Sequence, residues 1–225
     1  MPLRFPNSAA QAFFWIFVAL FAVAAVAALF FSYRRKQTLA ELIKAASMLF
    51  LGTAMVCLLP SAPLIWFSCY LLALCALGQA KRTVSLNCIG LGLLAASQCL
   101  NIAVISGLLT YQIPVYVYIL AAVAVLAGLT ASLFVPKKWN IKAFLFDGMM
   151  IFPAIAMIFA ALLLADGLLY SKILLLVGYL FFVGVSSTPD KSDEEHKLRS
   201  YYKNIFYFLG QFLIYIGLVL SVTVL

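Results

Sequence analysis

A small set of polar and charged side chains lies inside otherwise apolar stretches of the sequence. Two of them ionise, Lys44 and Asp147, and a lysine with a carboxylic acid could bind a phosphate and deliver a proton. The others are four amides and a hydroxyl, which form hydrogen bonds without titrating. They are Gln79, Gln98, Asn101, Ser187 and Gln211. An ionisable residue inside a membrane segment is by default a functional hypothesis.

A purely structural interpretation of the same residues stays open. Amide side chains commonly join membrane helices, with each interaction contributing about 0.6 kcal/mol. Lys44 could extend its ammonium to the membrane surface, or it could simply pair with Asp147.

The composition places these residues in a membrane protein. Of the 225 residues 66% are hydrophobic and 10% are charged, whereas soluble proteins are roughly 45–50% apolar. The apolar runs are continuous, and they lack the ten-residue alternation typical of a membrane β-barrel. We therefore predict an all-α, polytopic membrane helical bundle that forms one domain over residues 1–225.

The apolar runs predict eight transmembrane helices, each long enough to cross about 30 Å of hydrocarbon. The predicted spans are 11–31, 39–59, 64–80, 84–109, 114–135, 141–164, 168–187 and 201–223. The longest predicted loop is Thr188–Ser200, which carries the only histidine, His196, at a solvated position.

The distribution of lysine and arginine predicts the orientation. With eight spans, thirteen of the fifteen basic residues fall on one side, and only Arg4 and Lys172 fall on the other. Positive charge marks the internal side, so both termini are expected on the external side of a plasma (inner) membrane. Although the net charge is +8, the basic residues form short clusters between apolar runs, so no nucleic-acid partner is expected.

The cysteines predict neither a disulfide framework nor a metal site. All five lie in apolar segments without a C-x-x-C pair, where a thiol behaves as a small hydrophobic group. We expect no metal and no cofactor.

The candidate residues differ in predicted depth. Lys44, Gln79, Asp147 and Ser187 fall in the internal half of the membrane, within roughly 10 Å of depth. Gln98, Asn101 and Gln211 fall near the midplane. Together they predict a polar funnel that opens to the internal side.

Gln211 makes the last span the one that organises the bundle. It lies at the middle of the stretch 201–221, beside Gly210. Because a primary amide facing lipid tails would lose its water without replacement, Gln211 is expected to point into the bundle and find partners there.

The same stretch resembles a known family. The sequence YFLGQFLI of Tyr207–Ile214 resembles the closing Tyr-Tyr-Leu-Ala-Gln-x-Leu-Ile of the lysoplasmalogenase, or YhhN-like, membrane proteins, which have eight predicted spans. The family's lysine at the start of the second span corresponds to Lys44, with Ala45 in place of its proline. The histidine and tyrosine of its fourth span correspond to Gln98 and Asn101.

The resemblance implies a lipid substrate. The family hydrolyses the vinyl ether bond of lysoplasmalogens, a reaction that needs a proton donor and a carboxylate. The positions of two family aspartates hold Gln79 and Ser187, so Asp147 would have to serve as the general acid. Lys44 would hold the lipid phosphate, while Gln98, Asn101 and Gln211 would orient water and headgroup. The expected partner is therefore a membrane lysophospholipid.

Two other functions stay open. The first is a non-catalytic lipid-binding or scaffold protein on the same bundle, because Gln79 and Ser187 supply no acid. The second is a small-solute transporter, although the sequence lacks the internal repeats of many transporters.

Overall fold

The computed structural model describes residues 5–80, 84–108, 168–186 and 193–223, with short pieces between 156 and 164. Every regular element in these residues is a helix, which confirms the all-α prediction. The six long helices are α1 (Ser8–Tyr33), α2 (Gln37–Leu58), α3 (Pro63–Ala80), α4 (Val84–Ser106), α5 (Leu169–Ser186) and α6 (Asp193–Thr223). The predicted span 114–135, most of the span 141–164, and Asp147 lie outside the described residues.

Three of these helices are long and apolar enough to cross a membrane: α1, α2 and the part of α6 from Tyr201 to Thr223. The apolar parts of α3, α4 and α5 are shorter. On α1 the side chains of Phe13, Trp15 and Val23 are more than half exposed, an arrangement suited to lipid contact. The chain is therefore a helical membrane protein.

The predicted loop Thr188–Ser200 is wrong in its second half, because α6 begins at Asp193 and includes His196. Three acidic residues open this helix, where negative charge interacts favourably with the helix dipole. The sequence also places Asp193 four residues before Lys197 and Glu195 four residues before Arg199, an order that favours a helix. Charge content alone had suggested an irregular loop.

The helices pack in chain order around α6. Each of α1, α2 and α3 packs against the next helix, and α5 packs along α6. In addition, α6 contacts every one of the other five long helices. The last helix therefore touches each of the other long helices that the structure describes.

The crossing of α5 and α6 brings two backbones together. A Cβ atom built on Gly210 would lie 2.9 Å from the carbonyl oxygen of Gly178, closer than real Cβ contacts. One added to Gly217 would lie 2.9 Å from Leu175. Small residues permit this close approach. It fixes the relative height of Tyr179, which follows Gly178, and Gln211, which follows Gly210.

The turn between α1 and α2 is closed by backbone hydrogen bonds. The Lys36 amide donates to the Phe31 carbonyl at 3.0 Å, and the Arg35 amide donates to the Ser32 carbonyl at 3.1 Å. This is the pattern of a helix C-terminus whose next residue adopts the left-handed conformation. That residue is Arg35, with a φ of 59°.

We expect Arg35→Gly to raise the free energy of unfolding by about 1 kcal/mol, because a side chain in the left-handed region costs roughly that much. Arg35→Ala is the matched control, since it removes the charge and keeps the unfavourable conformation. Thermal unfolding in detergent measures both variants. Equal shifts would mean that charge, and not backbone conformation, determines the effect.

Candidate functional site

Ser68 lies at the centre of a buried hydrogen-bond network between α3, α4 and α6. Its hydroxyl oxygen is 2.7 Å from the Tyr215 hydroxyl, 2.8 Å from the Ser97 hydroxyl and 2.8 Å from Asn101 Oδ1. The four side chains are fully buried. In an apolar bundle each of these groups would be costly without a partner, and here they satisfy one another.

The network continues to α5 through Asn101. The Asn101 Nδ2 donates to the Tyr179 hydroxyl at 3.3 Å, and that hydroxyl donates to Gln98 Oε1 at 3.1 Å. Tyr179 is also fully buried. Four helices are therefore joined by one continuous chain of hydrogen bonds.

The direction of the hydrogen bonds in this network determines how the Gln98 amide is oriented. A tyrosine hydroxyl has one proton, and Tyr179 already accepts from Asn101, so its own proton goes to Gln98 Oε1. The Nε2 of Gln98 then points away from Tyr179. Although Gln98 is only 1% exposed, this nitrogen has no hydrogen-bond partner among the described residues.

Gln211 is completely buried on the face of α6 that carries Tyr207 and Tyr215. The three residues are spaced four apart, so their side chains share one helix face. Neither Nε2 nor Oε1 of Gln211 has a partner in the part of the chain that the structure describes. The prediction that this amide points into the bundle is consistent with its burial, but its partner is not among the described residues.

Lys44 binds the same face of α6 one turn nearer the Asp193 end. Its Nζ lies 4.1 Å from the centroid of the Tyr207 ring and 3.4 Å from Glu41 Oε2. The ring face attracts the cation, and Glu41 supplies the opposite charge. Its described acidic partner is thus Glu41, whereas the sequence had suggested Asp147.

The predicted site residues fall into three groups in the structure. Gln98 and Asn101 belong to the Ser68 network, and Lys44 and Gln211 lie along the Tyr207–Tyr215 face of α6. Gln79 lies in the last turn of α3, but its side chain is outside the description. Asp147 and Ser187 lie outside the described residues altogether.

Sequence reasoning missed the hydroxyl groups that connect the amides. Ser68, Ser97, Tyr179 and Tyr215 are ordinary residues of membrane helices, and nothing in their type indicates a network. A usable signal is spacing, because Tyr215 follows Gln211 by four residues and Asn101 follows Ser97 by four residues. Polar residues at such offsets share or border one helix face.

The chemistry of the described network is that of hydrogen bonding between neutral groups. It contains hydroxyls and amides. Such groups can hold water or an uncharged polar group of a ligand. The charged pair Glu41–Lys44 lies about two helical turns away, measured from Tyr207 to Tyr215 along α6.

We expect Ser68→Ala to lower the free energy of unfolding by about 2 kcal/mol, because it leaves buried polar partners without a hydrogen bond. Ser106→Ala is the control, since the one partner of the Ser106 hydroxyl among the described residues is the Ala103 carbonyl of its own helix. Thermal melting in detergent compares them. A Ser68→Ala protein that melts like the control would show that the network contributes little to stability.

No family model, no curated protein and no solved structure matches the chain. Function is therefore inferred from the residues and contacts of the chain itself.

Proposed function

We propose that the chain is an eight-span plasma (inner) membrane protein, with both termini external, that binds a lysophospholipid from the internal leaflet. The distribution of basic residues, thirteen against two, supports this orientation. The three long apolar helices support the membrane location. The resemblance of Tyr207–Ile214 to the lysoplasmalogenase family supports the class of lipid.

The observation that carries the proposal is the position of Lys44 relative to the buried network. Its ammonium rests on the Tyr207 ring and its side chain is 13% exposed, so a phosphate arriving from the internal side could reach it. An ammonium has three donors, so it can bond to a phosphate while Glu41 stays near. The neutral groups deeper in the bundle suit the uncharged glycerol region of the lipid.

Vinyl ether hydrolysis is the reaction that the resemblance suggests. Protonation at carbon gives an oxocarbenium ion, water adds to it, and the product collapses to an aldehyde and a free alcohol. Asp147 would supply the proton, and the amides would orient the water.

Binding without catalysis is the second candidate, and one observation favours it. The groups of the Ser68 network are hydroxyls and amides, all of them neutral and poor proton donors. Release of aldehyde from a lysoplasmalogen by the purified protein would distinguish an enzyme from a binding protein.

The lipid proposal is tested by the lipids that co-purify with the protein from native membranes. We expect mass spectrometry to find lysophospholipid enriched with the parent and strongly reduced with Lys44→Met. Lys36→Met is the matched control, because Lys36 is an exposed lysine of the α1–α2 turn. Equal recovery from all three proteins would contradict the proposal.

The orientation is tested separately by cysteine labelling. We expect a cysteine introduced at Ser8 to react from the external side and one at Ser192 to react from the internal side. Reaction of both positions from the same side would refute the eight-span arrangement.

A further inference from the structure

Two buried amides in the bundle have hydrogen-bonding groups that no described residue uses. Gln98 has a free Nε2, and Gln211 has both a free Nε2 and a free Oε1, counting partners among the described residues. They are 1% and 0% exposed, so bulk water does not complete their hydrogen bonds. Buried polar groups without partners are rare, and each one calls for a ligand, a water or another part of the chain.

The two amides lie at similar depth. Gln98 adjoins Ser97, which bonds to Ser68, and the same Ser68 hydroxyl bonds to Tyr215 on α6. Gln211 precedes Tyr215 by one turn, about 6 Å along the helix axis.

The amide groups that no described residue uses match a hydroxyl group of a ligand. Together they offer four N–H donors and one carbonyl acceptor. A hydroxyl group uses both kinds, since its oxygen accepts and its proton is donated. A phosphate would have no donor for the Gln211 oxygen, and the cation that would balance it, Lys44, lies at the level of Tyr207.

We propose that Gln98 and Gln211 bind the free hydroxyl on the glycerol backbone of the lysophospholipid, and so select lysolipid against lipid that lacks this hydroxyl. The inference rests on the proposed function and adds the residues that recognise the hydroxyl left free on a single-chain lipid. Gln98 Nε2 donates to the hydroxyl oxygen, and Gln211 Oε1 accepts its proton. The Tyr179 bond to Gln98 Oε1 holds the first amide in the orientation that this requires.

The position of the headgroup agrees with this geometry. The Tyr207 ring, which Lys44 contacts, lies one turn from Gln211, again about 6 Å along α6. The glycerol hydroxyl and the phosphate of a lysophospholipid are separated by only a few bonds. One lipid can therefore contact Lys44 with its phosphate and the amides with its hydroxyl.

The test compares 1-oleoyl lysophosphatidylcholine with its 2-deoxy analogue, which differs only by the missing hydroxyl. We expect the parent protein in detergent to bind the hydroxyl lipid about tenfold more tightly, the effect of one good hydrogen bond. Gln211→Met and Gln98→Met should each bring this ratio close to one. Gln37→Met, an exposed amide at the start of α2, should keep the parent ratio.

Three outcomes would overturn the inference. If the parent binds both lipids equally, the amides do not recognise the hydroxyl, although lipid binding itself stands. If Gln211→Met melts several degrees lower without lipid, the amide already has a partner within the protein and is not available to a ligand. If neither lipid binds the parent, the proposed function is overturned as well.

Discussion

Gly210→Leu is expected to prevent α5 and α6 from packing and so to abolish the folded bundle. Even the Cβ of Gly210→Ala would lie 2.9 Å from the Gly178 carbonyl oxygen, and a backbone oxygen cannot move without shifting its helix. We expect Gly210→Ala to lower the free energy of unfolding by about 1–3 kcal/mol, as overpacking does. The leucine side chain adds atoms for which the contact has no space.

The sign of the alanine effect makes this prediction specific. Helix propensity alone predicts that Gly210→Ala stabilises the helix by about 1 kcal/mol. Gly107→Ala is the control, because its added Cβ would lie 3.5 Å from the nearest atom, an ordinary contact. Thermal melting of the three variants in detergent would reveal a loss at Gly210 that is absent at Gly107. A more stable Gly210→Ala protein would contradict the close crossing.

The positions of the helices follow from the sequence because the length of an apolar run determines where a membrane helix can lie. The predicted span 11–31 falls within α1 (Ser8–Tyr33), and 39–59 coincides closely with α2 (Gln37–Leu58). The error at Asp193 has a different origin. Hydropathy indicates only where the apolar run begins, near Tyr201. The order of acidic and basic residues before it favours a helix that begins earlier, at Asp193.

The interior was less predictable because partners depend on how each helix is rotated. Type and depth were enough to single out Gln98, Asn101 and Gln211, and all three are buried. They were not enough to find Ser68, whose hydroxyl joins three other side chains only in the folded bundle. Likewise the pairing of Lys44 with Tyr207 depends on the approach of α2 to α6, which no local pattern encodes.

The resemblance to the lysoplasmalogenase family leads to the prediction with the largest effect on chemistry, because it implies that Gln79 and Ser187 stand in place of two aspartates. If the protein holds a lysoplasmalogen but lacks the acid, the parent should hydrolyse little or none of it. The double variant Gln79→Asp with Ser187→Asp should then release aldehyde. General acid catalysis contributes about 10²–10⁴-fold, so the gain should be visible in an aldehyde assay.

The physical reason lies in the environment of the two new carboxylates. If the two positions share one site, repulsion between like charges leaves one carboxyl protonated as the acid. The other stays ionised and can stabilise the oxocarbenium ion. The double variant Gln79→Asn with Ser187→Asn is the matched control, because it introduces side chains of the same size that do not titrate.

Strong activity in the parent that is abolished by Asp147→Asn would place the acid in the segment 141–164 instead. Inactivity of every variant with lysophospholipid still bound would identify a lipid-binding protein.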